Sequence, residues 1–487
     1  MRKATITMLL LLCLSIGGVY VAAAGVHAPH DQVVLTENVV YGDPSAASGL
    51  EVQAHVTWDD HLFWDTTLLT GAENRVETDF RFSAEEVRQE EPIEFRGIML
   101  DNSVEFFYDP SQEAVQEYHG IDRAFHELAQ TVEPGQEKEA TVYLKDYMDN
   151  YPVEAVVDLP GLTASLNTQY APDEAAQLAE IERDILCLQE YFTIPVLEEE
   201  TYGLLVGKHE NGTLSHMFGG PSDSDSFYFR EINVIADNAC YFTFDTHSNG
   251  GQVVDTSRLP NGYGLFRVMF DACHSDSKPV VFEEMDISEP EMVYAIDPNA
   301  YIEGLYLSED QRLLYLLTQE NNMLFLTVID CATMDALQKL EIYDFGEEPG
   351  TVHEIRLKDN CWVLWLRGGV LALLEKLPDD LFELAYVTTY DFEEIPEYAM
   401  SIYLEADWDG ERLAVVDKSY NGRMNVDGHY VVGYDTCGFW LLVYDKHGEL
   451  AYAGNYESSL SDLIEQPKNS CNPIWPGPPF TVNWKEE

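Results

Sequence analysis

The chain has 487 residues, with 87 acidic side chains against 27 basic ones and a formal charge of −60 at pH 7. So negative a field repels nucleic-acid phosphates and anionic lipid surfaces, which excludes nucleic acid as a partner. A hydrophobic content of 46% excludes disorder of the chain as a whole.

The N-terminus carries Arg2 and Lys3, then an uncharged run from Ala4 to Ala24 centred on Leu9–Leu12. A basic start, an apolar centre and small residues after it are the layout of an export signal, and Ala22-Ala23-Ala24 offers a cleavage site. The run equally fits an uncleaved spanning helix of about 20 residues. Either way, residues 1–24 read as a signal peptide or signal anchor and the rest as extracytoplasmic, secreted or held at the cell membrane. Membrane contact is expected only through residues 4–24.

Residues 31–165 read as short strands forming a β-sandwich-like domain. Leu50, Val52, Ala54, Val56 and Trp58 alternate with polar residues, the period of a half-buried strand. Further strands are expected over Val76–Phe82, Ile93–Leu100, Ala140–Asp146 and Val153–Leu159, with one helix at Ile121–Gln130. Residues 173–192 differ. Leu178, Ile181, Ile185, Leu188 and Phe192 recur at three- and four-residue spacing, so they line one face of a linking amphipathic helix.

From 201 to 487 the plan is a strand, a polar turn, a second apolar strand, then a strand ending in an acidic turn. Examples start at Ile232, Tyr301, Val352 and Ser401. The starts near 302, 352 and 401 recur about every 50 residues, the period of a propeller blade. Thr201–Phe229 offers one further blade, and Thr481–Trp484 a closing strand. The fold expected is therefore mainly β: a sandwich-like N-terminal domain, a linking helix and a C-terminal β-propeller of five to seven blades.

Two stretches, Thr327-Val328-Ile329-Asp330-Cys331-Ala332-Thr333 and Leu442-Val443-Tyr444-Asp445-Lys446-His447-Gly448-Glu449-Leu450, resemble the strand-and-turn punctuation of WD40-like and quinoprotein-like β-propellers. The resemblance covers 201–487 and implies an architecture. No Gly-His and Trp-Asp pair recurs at blade ends, and no tryptophan-docking sequence repeats, so it implies no catalytic residues. The first half resembles N-terminal regions of exported bacterial proteins.

No HExxH, GxxxxGK[ST], GxGxxG after a strand, or GxSxG occurs. The seven cysteines beyond Cys13 show no CxxC. Pairs such as Cys240 with Cys273, Cys331 with Cys361 and Cys437 with Cys471 stay open beside free buried thiols. Asp59, Asp60 and His61, between Trp58 and Trp64, are candidate ligands for a divalent cation such as calcium; no other cofactor is expected. The segment from Lys418 to Cys437 is a candidate binding insertion. Its Tyr420, Arg423, Asp427, His429 and Tyr430 suit recognition of a sugar or peptide. These residues together point to an exported or membrane-anchored binding or scaffold protein with a protein or glycan partner, more than to an enzyme. The alternative is an extracytoplasmic carbohydrate-active enzyme using carboxylates in a propeller channel, since such pairs carry no local signature.

Overall fold

A computed structural model describes residues 33–58, 62–83, 97–102, 104, 120–158, 187–221, 226–270, 287–347, 349–390, 404–424, 430–460 and 480–485. In chain order it begins with β1 (Leu35–Gly42), β2 (Leu50–Trp58), β3 (Leu62–Leu69), β4 (Arg75–Phe82) and β5 (Gly97–Asp101). Then come α1 (Gly120–Thr131), β6 (Glu137–Tyr143), β7 (Glu154–Asp158), β8 (Thr201–Lys208) and β9 (Leu214–Pro221). Of the expected linking helix, only 187–192 is described, and 187–191 is helical. Its Leu188 and Phe192 are buried.

Four-stranded antiparallel meanders follow. The first is β10 (Glu231–Ile235), β11 (Ala239–Phe244), β12 (Gly264–Met269) and β13 (Glu291–Ala295). The second is β14 (Tyr301–Leu307), β15 (Leu313–Glu320), β16 (Met323–Asp330) and β17 (Ala336–Asp344). The third is β18 (Val352–Leu357), β19 (Cys361–Leu366), β20 (Val370–Lys376) and β21 (Phe382–Thr389). The last strands are β22 (Glu405–Trp408), β23 (Arg412–Met424), β24 (Tyr430–Asp445), β25 (Leu450–Ser458) and β26 (Phe480–Trp484). The fold is thus mainly β, and the four-strand meander is the sheet from which propeller blades are made.

The second strand of each meander explains the apolar runs. Every residue of β11 and of β19 is buried, as is nearly all of β15. Such a strand is covered on both faces, so it loses the polar alternation of a half-exposed one. Outer strands recover it: β21 alternates buried Phe382 and Tyr386 with exposed or half-exposed neighbours.

The described residues divide into two compact units, 1–93 with 350–487 and 94–349. The sequence pattern places its division elsewhere, between 165 and 201. Strand pairing accounts for the difference. β2, β3 and β4 form a sheet in the order β26-β2-β3-β4, and β1 pairs with β25 in the order β1-β25-β24-β23-β22. The N-terminal strands therefore complete sheets begun by the C-terminal ones. β26 runs antiparallel to β2, with Val52 opposite Val482 and Ala54 opposite Phe480. Leu50, Val52, Phe439, Leu441, Tyr456, Phe480 and Val482 share one buried cluster.

The other unit gathers β5–β17. Thr201–Phe229 does not make a meander of its own: β8 and β9 take β6 as third strand. α1 covers one face of that sheet through Ile121, Phe125 and Leu128, in one cluster with Tyr202, Leu204 and Val206. Of the cysteines, Cys331 and Cys361 carry free thiols, as do Cys187 and Cys240, so the Cys331–Cys361 pair is not formed. Among the described residues no helix is long and apolar enough to cross a membrane; residues 4–24 lie outside them.

If β26 is a structural strand, Phe480→Ala costs about 3–5 kcal/mol by lost burial and cavity formation. Lys485→Ala removes a 2.9 Å ion pair from the half-exposed lysine to the more buried Glu51 and costs about 1 kcal/mol. Denaturant unfolding of the two variants checks the contrast.

Candidate functional site

The residues singled out in sequence divide by position. Asp59, Asp60 and His61 lie outside the described residues, between Trp58 and Leu62, which face each other in the β2–β3 register. Asp427 and His429 also lie outside them. Tyr420 and Arg423 stand in β23 and Tyr430 opens β24. The Lys418–Cys437 segment is mostly strand. Tyr420 faces Tyr434, Arg423 faces Val431 and Met424 faces Tyr430, so the hairpin runs on where the sequence suggests a loop. Asn421-Gly422, a turn signal in sequence, is paired within it, opposite Gly433 and Val432. Among the described residues, no three His, Cys, Asp or Glu side chains converge as a metal cluster.

Several carboxylates are buried deeply enough to matter chemically. Glu200 is only 6% exposed. It accepts a hydrogen bond from the Tyr151 hydroxyl, and that hydroxyl accepts from the Leu197 amide at 3.3 Å. Burial raises the Glu200 pKa above the ordinary glutamate value, opposed by the Tyr151 bond and by the Phe227 amide. In the other unit, Glu354 and Glu405 flank one guanidinium. Arg356 Nη2 is 2.5 Å from Glu354 and Arg356 Nε is 3.3 Å from Glu405, with Lys358 Nζ 3.8 Å from Glu405. Burial raises both carboxyl pKa values, and Arg356 opposes the rise in each. Asp407 is raised by burial as well and accepts from the Trp484 amide at 2.6 Å. Each of these acids thus has a partner that holds strands together.

A different arrangement occupies the three-stranded sheet. Its second face, away from α1, carries Glu137, Glu139, Thr141 and Tyr143 on β6. By register Gly207 and Leu205 lie beside them on β8, then His216 and Phe218 on β9. The shift between Gly207 and Lys208 makes Ser215 the extra residue of a bulge, and bulges re-aim side chains. Ser215 Oγ lies 3.0 Å from His216 Nδ1, and His216 Nε2 lies 3.6 Å from Glu137 across the strand between. The imidazole crosses directly above Gly207, where a Cβ would sit 2.4 Å from its Cε1. Glycine at 207 is therefore what lets the ring lie flat. Phe218 stands beside His216 at 5.5 Å between ring centroids and is 63% exposed. An exposed ring, a hydroxyl, an imidazole and carboxylates on a flat surface offer stacking and hydrogen bonding without a deep cavity. The alternation from Leu214 to Phe218 is visible in sequence, but nothing local shows that β6 is the neighbour of β8.

No protein-family model matches the chain, and no curated protein matches it. Among solved structures it is similar to a candidate 6-phosphogluconolactonase from Bacteroides fragilis, at 10% identity and a TM-score of 0.29, covering 84% of this chain and 95% of that one. It is also similar to the β-propeller domain of Cps50 (Swd1) from Myceliophteria thermophila, at 10% identity and a TM-score of 0.25, covering 54% and 68%. Kluyveromyces lactis Hsv2 matches at 7% identity and a TM-score of 0.21, covering 51% and 70%. The resemblance to β-propeller proteins is one of fold.

The raised pKa of Glu200 has a consequence for stability. The folded state holds its proton to higher pH than the unfolded chain, so the protonated form's stability is lost as pH rises through the raised value. Glu200→Gln mimics that form and keeps an acceptor for Tyr151. Its melting temperature relative to wild type should climb from pH 4 to pH 8, by about 1–2 °C for each kcal/mol at this size. A flat difference across that range refutes the assignment.

Proposed function

We propose that this chain is an extracytoplasmic binding or scaffold protein, exported or anchored through residues 4–24. Its meanders act as propeller-type blades, five to seven in number, and it takes a protein or glycan partner. The observation that carries the reading is the face of β6, β8 and β9 where Phe218, 63% exposed, stands beside the tilted His216 ring, its one ring contact among the described residues. Tyr143 of β6 is exposed on the same face, and exposed rings gathered with a hydroxyl, an imidazole and carboxylates on one sheet face have the makeup of a contact surface. The partnered state of Glu200, Glu354, Glu405 and Asp407 supports the same reading, because these acids serve the framework. The N-terminal apolar run supports export.

A carbohydrate-active enzyme is the second reading, and one observation favours it: Glu354 and Glu405 are two half-buried carboxyls with raised pKa values on one arginine. Unchanged glycan hydrolysis in Glu354→Gln and Glu405→Gln, or none in wild type, removes it.

Phe218→Ala should leave stability within about 0.5 kcal/mol, as an exposed substitution does. It should weaken capture of the best ligand on arrays of glycans and of peptides at least tenfold. Equal binding by both proteins overturns the Phe218 face as the contact surface, and no binding of wild type on either array overturns the binding reading. For export, residues 1–30 fused to alkaline phosphatase should yield active enzyme outside the cytoplasm, and removing 4–24 should abolish it.

A further inference from the structure

A second polar constellation lies where β11 ends and where β10 and β14 begin. Asp245 follows β11, Arg230 precedes β10, and Tyr301 opens β14. The Asp245 amide donates to the Arg230 carbonyl at 3.1 Å, extending the β10–β11 pairing by one step. Both oxygens of the Asp245 carboxylate are then used. Oδ1 accepts from the His247 amide at 3.0 Å and pairs with His247 Nδ1 at 2.8 Å. Oδ2 takes Arg230 Nη2 at 3.1 Å, and the same nitrogen donates to the Ile302 carbonyl at 3.2 Å. The His247 ring stacks on Tyr301 with centroids 3.6 Å apart and planes 15° from parallel.

Burial separates the roles. The side chains of Asp245 and His247 are 7% and 6% exposed, whereas Arg230 is 64% exposed. Asp245 is spent on positioning. With Nδ1 bonded to the carboxylate, Nε2 is the ring nitrogen left for a further hydrogen bond. Nε2 has no partner among the described residues, and neither do Nε and Nη1 of Arg230. One ring nitrogen and one fork of donors therefore remain, held on opposite oxygens of the same carboxylate.

Their chemistry selects a ligand class. The Asp245 carboxylate lies against the Arg230 guanidinium and offsets its charge. A cation meets the guanidinium; an anion meets the field of a chain at −60. A hydroxyl suits both groups, because it both donates and accepts and so can pair with Nε2 and accept from Arg230. We propose that Arg230 and His247, positioned by Asp245 and Tyr301, bind adjacent hydroxyls of a neutral sugar. The site deepens the binding reading above and rests on it, naming a neutral glycan as the ligand class at a place distinct from the Phe218 face.

The test is titration calorimetry of the full chain with cellopentaose, maltopentaose, xylopentaose and mannopentaose. Wild type should bind at least one. Arg230→Met should weaken that binding at least tenfold at a temperature where circular dichroism shows it folded, its melting point falling somewhat because Asp245 loses its cation. His247→Ala, which empties a buried position and lowers the melting temperature, should weaken binding likewise at a temperature where it is folded, and His247→Gln, which restores a hydrogen-bonding group, should recover part of the affinity. A purely structural role for His247 predicts no such recovery of affinity at equal stability. If all three variants bind as wild type does while Phe218→Ala does not, this site is overturned and the binding reading stands. If wild type binds none of the four sugars, the site is overturned, and the peptide array alone then decides the broader reading.

Discussion

The edge pairing of the two chain ends is the constraint on which one whole unit depends. A four-stranded meander buries its middle strands only if sheets lie against both faces, and an unpaired edge exposes a row of backbone donors and acceptors. β26 meets β2, and β1 meets β25, so both terminal regions are consumed in closing sheets. Trp484 locks this closure from its side chain as well. Its indole Nε1 donates to the Asp407 carbonyl at 3.1 Å and its ring lies 3.8 Å beneath the Arg412 guanidinium. Arg412 in turn donates to the carbonyls of Ala46 and Ser48, each at 3.0 Å, near the start of β2. One arginine thus joins the last strand, the first strands and the β22–β23 turn.

The large acidic excess takes on a local meaning in the turns. Asp330 Oδ1 accepts from the amides of Ala332 and Thr333 at 2.9 Å each. Asp409 does the same for Glu411 and Arg412 at 2.9 and 2.7 Å, and Asp445 for His447 and Glu449 at 2.9 and 3.0 Å. These are side chains standing in for backbone turns. The amides lower the pKa of Asp330; that of Asp310, bonded chiefly to Arg312, falls to about 2. The Asp407-Trp-Asp-Gly stretch is a turn of this kind: Gly410 adopts φ +93° and Asp409 caps it. Charge that looks like a diffuse shell in the composition is, at these positions, hydrogen-bonding hardware of the hairpins.

Strands and hairpins were legible because they are set by neighbours in the chain. The alternation from Leu50 to Trp58 matches β2 residue for residue, and β14 and β18 open at Tyr301 and Val352 as the sequence pattern has them, since alternation and apolar runs report burial directly. Ala140–Asp146 was less so. Its strand starts at Glu137 and ends at Tyr143, where Leu144–Asp146 turn into a short 3-10 helix. The candidate site was hardly legible at all. His216 and Phe218 gain significance only through Gly207 and Glu137, and Asp245 and His247 only through Arg230 and Tyr301. Those partners arrive from distant segments, and no spacing rule connects them.

The sequence alone determined a β-rich chain, the position of its turns, its acidity and an N-terminal segment suited to export. These follow from local periodicity and composition, which need no knowledge of what packs on what. Tertiary structure alone decided which strands are neighbours. It put β2 beside β26, divided the chain at 93 and 350 rather than between 165 and 201, and chose which few of 87 acids lose their water. The physical reason is the same in each case: desolvation and edge pairing are properties of surfaces brought together across hundreds of residues, and a one-dimensional pattern records only which residues could bear it.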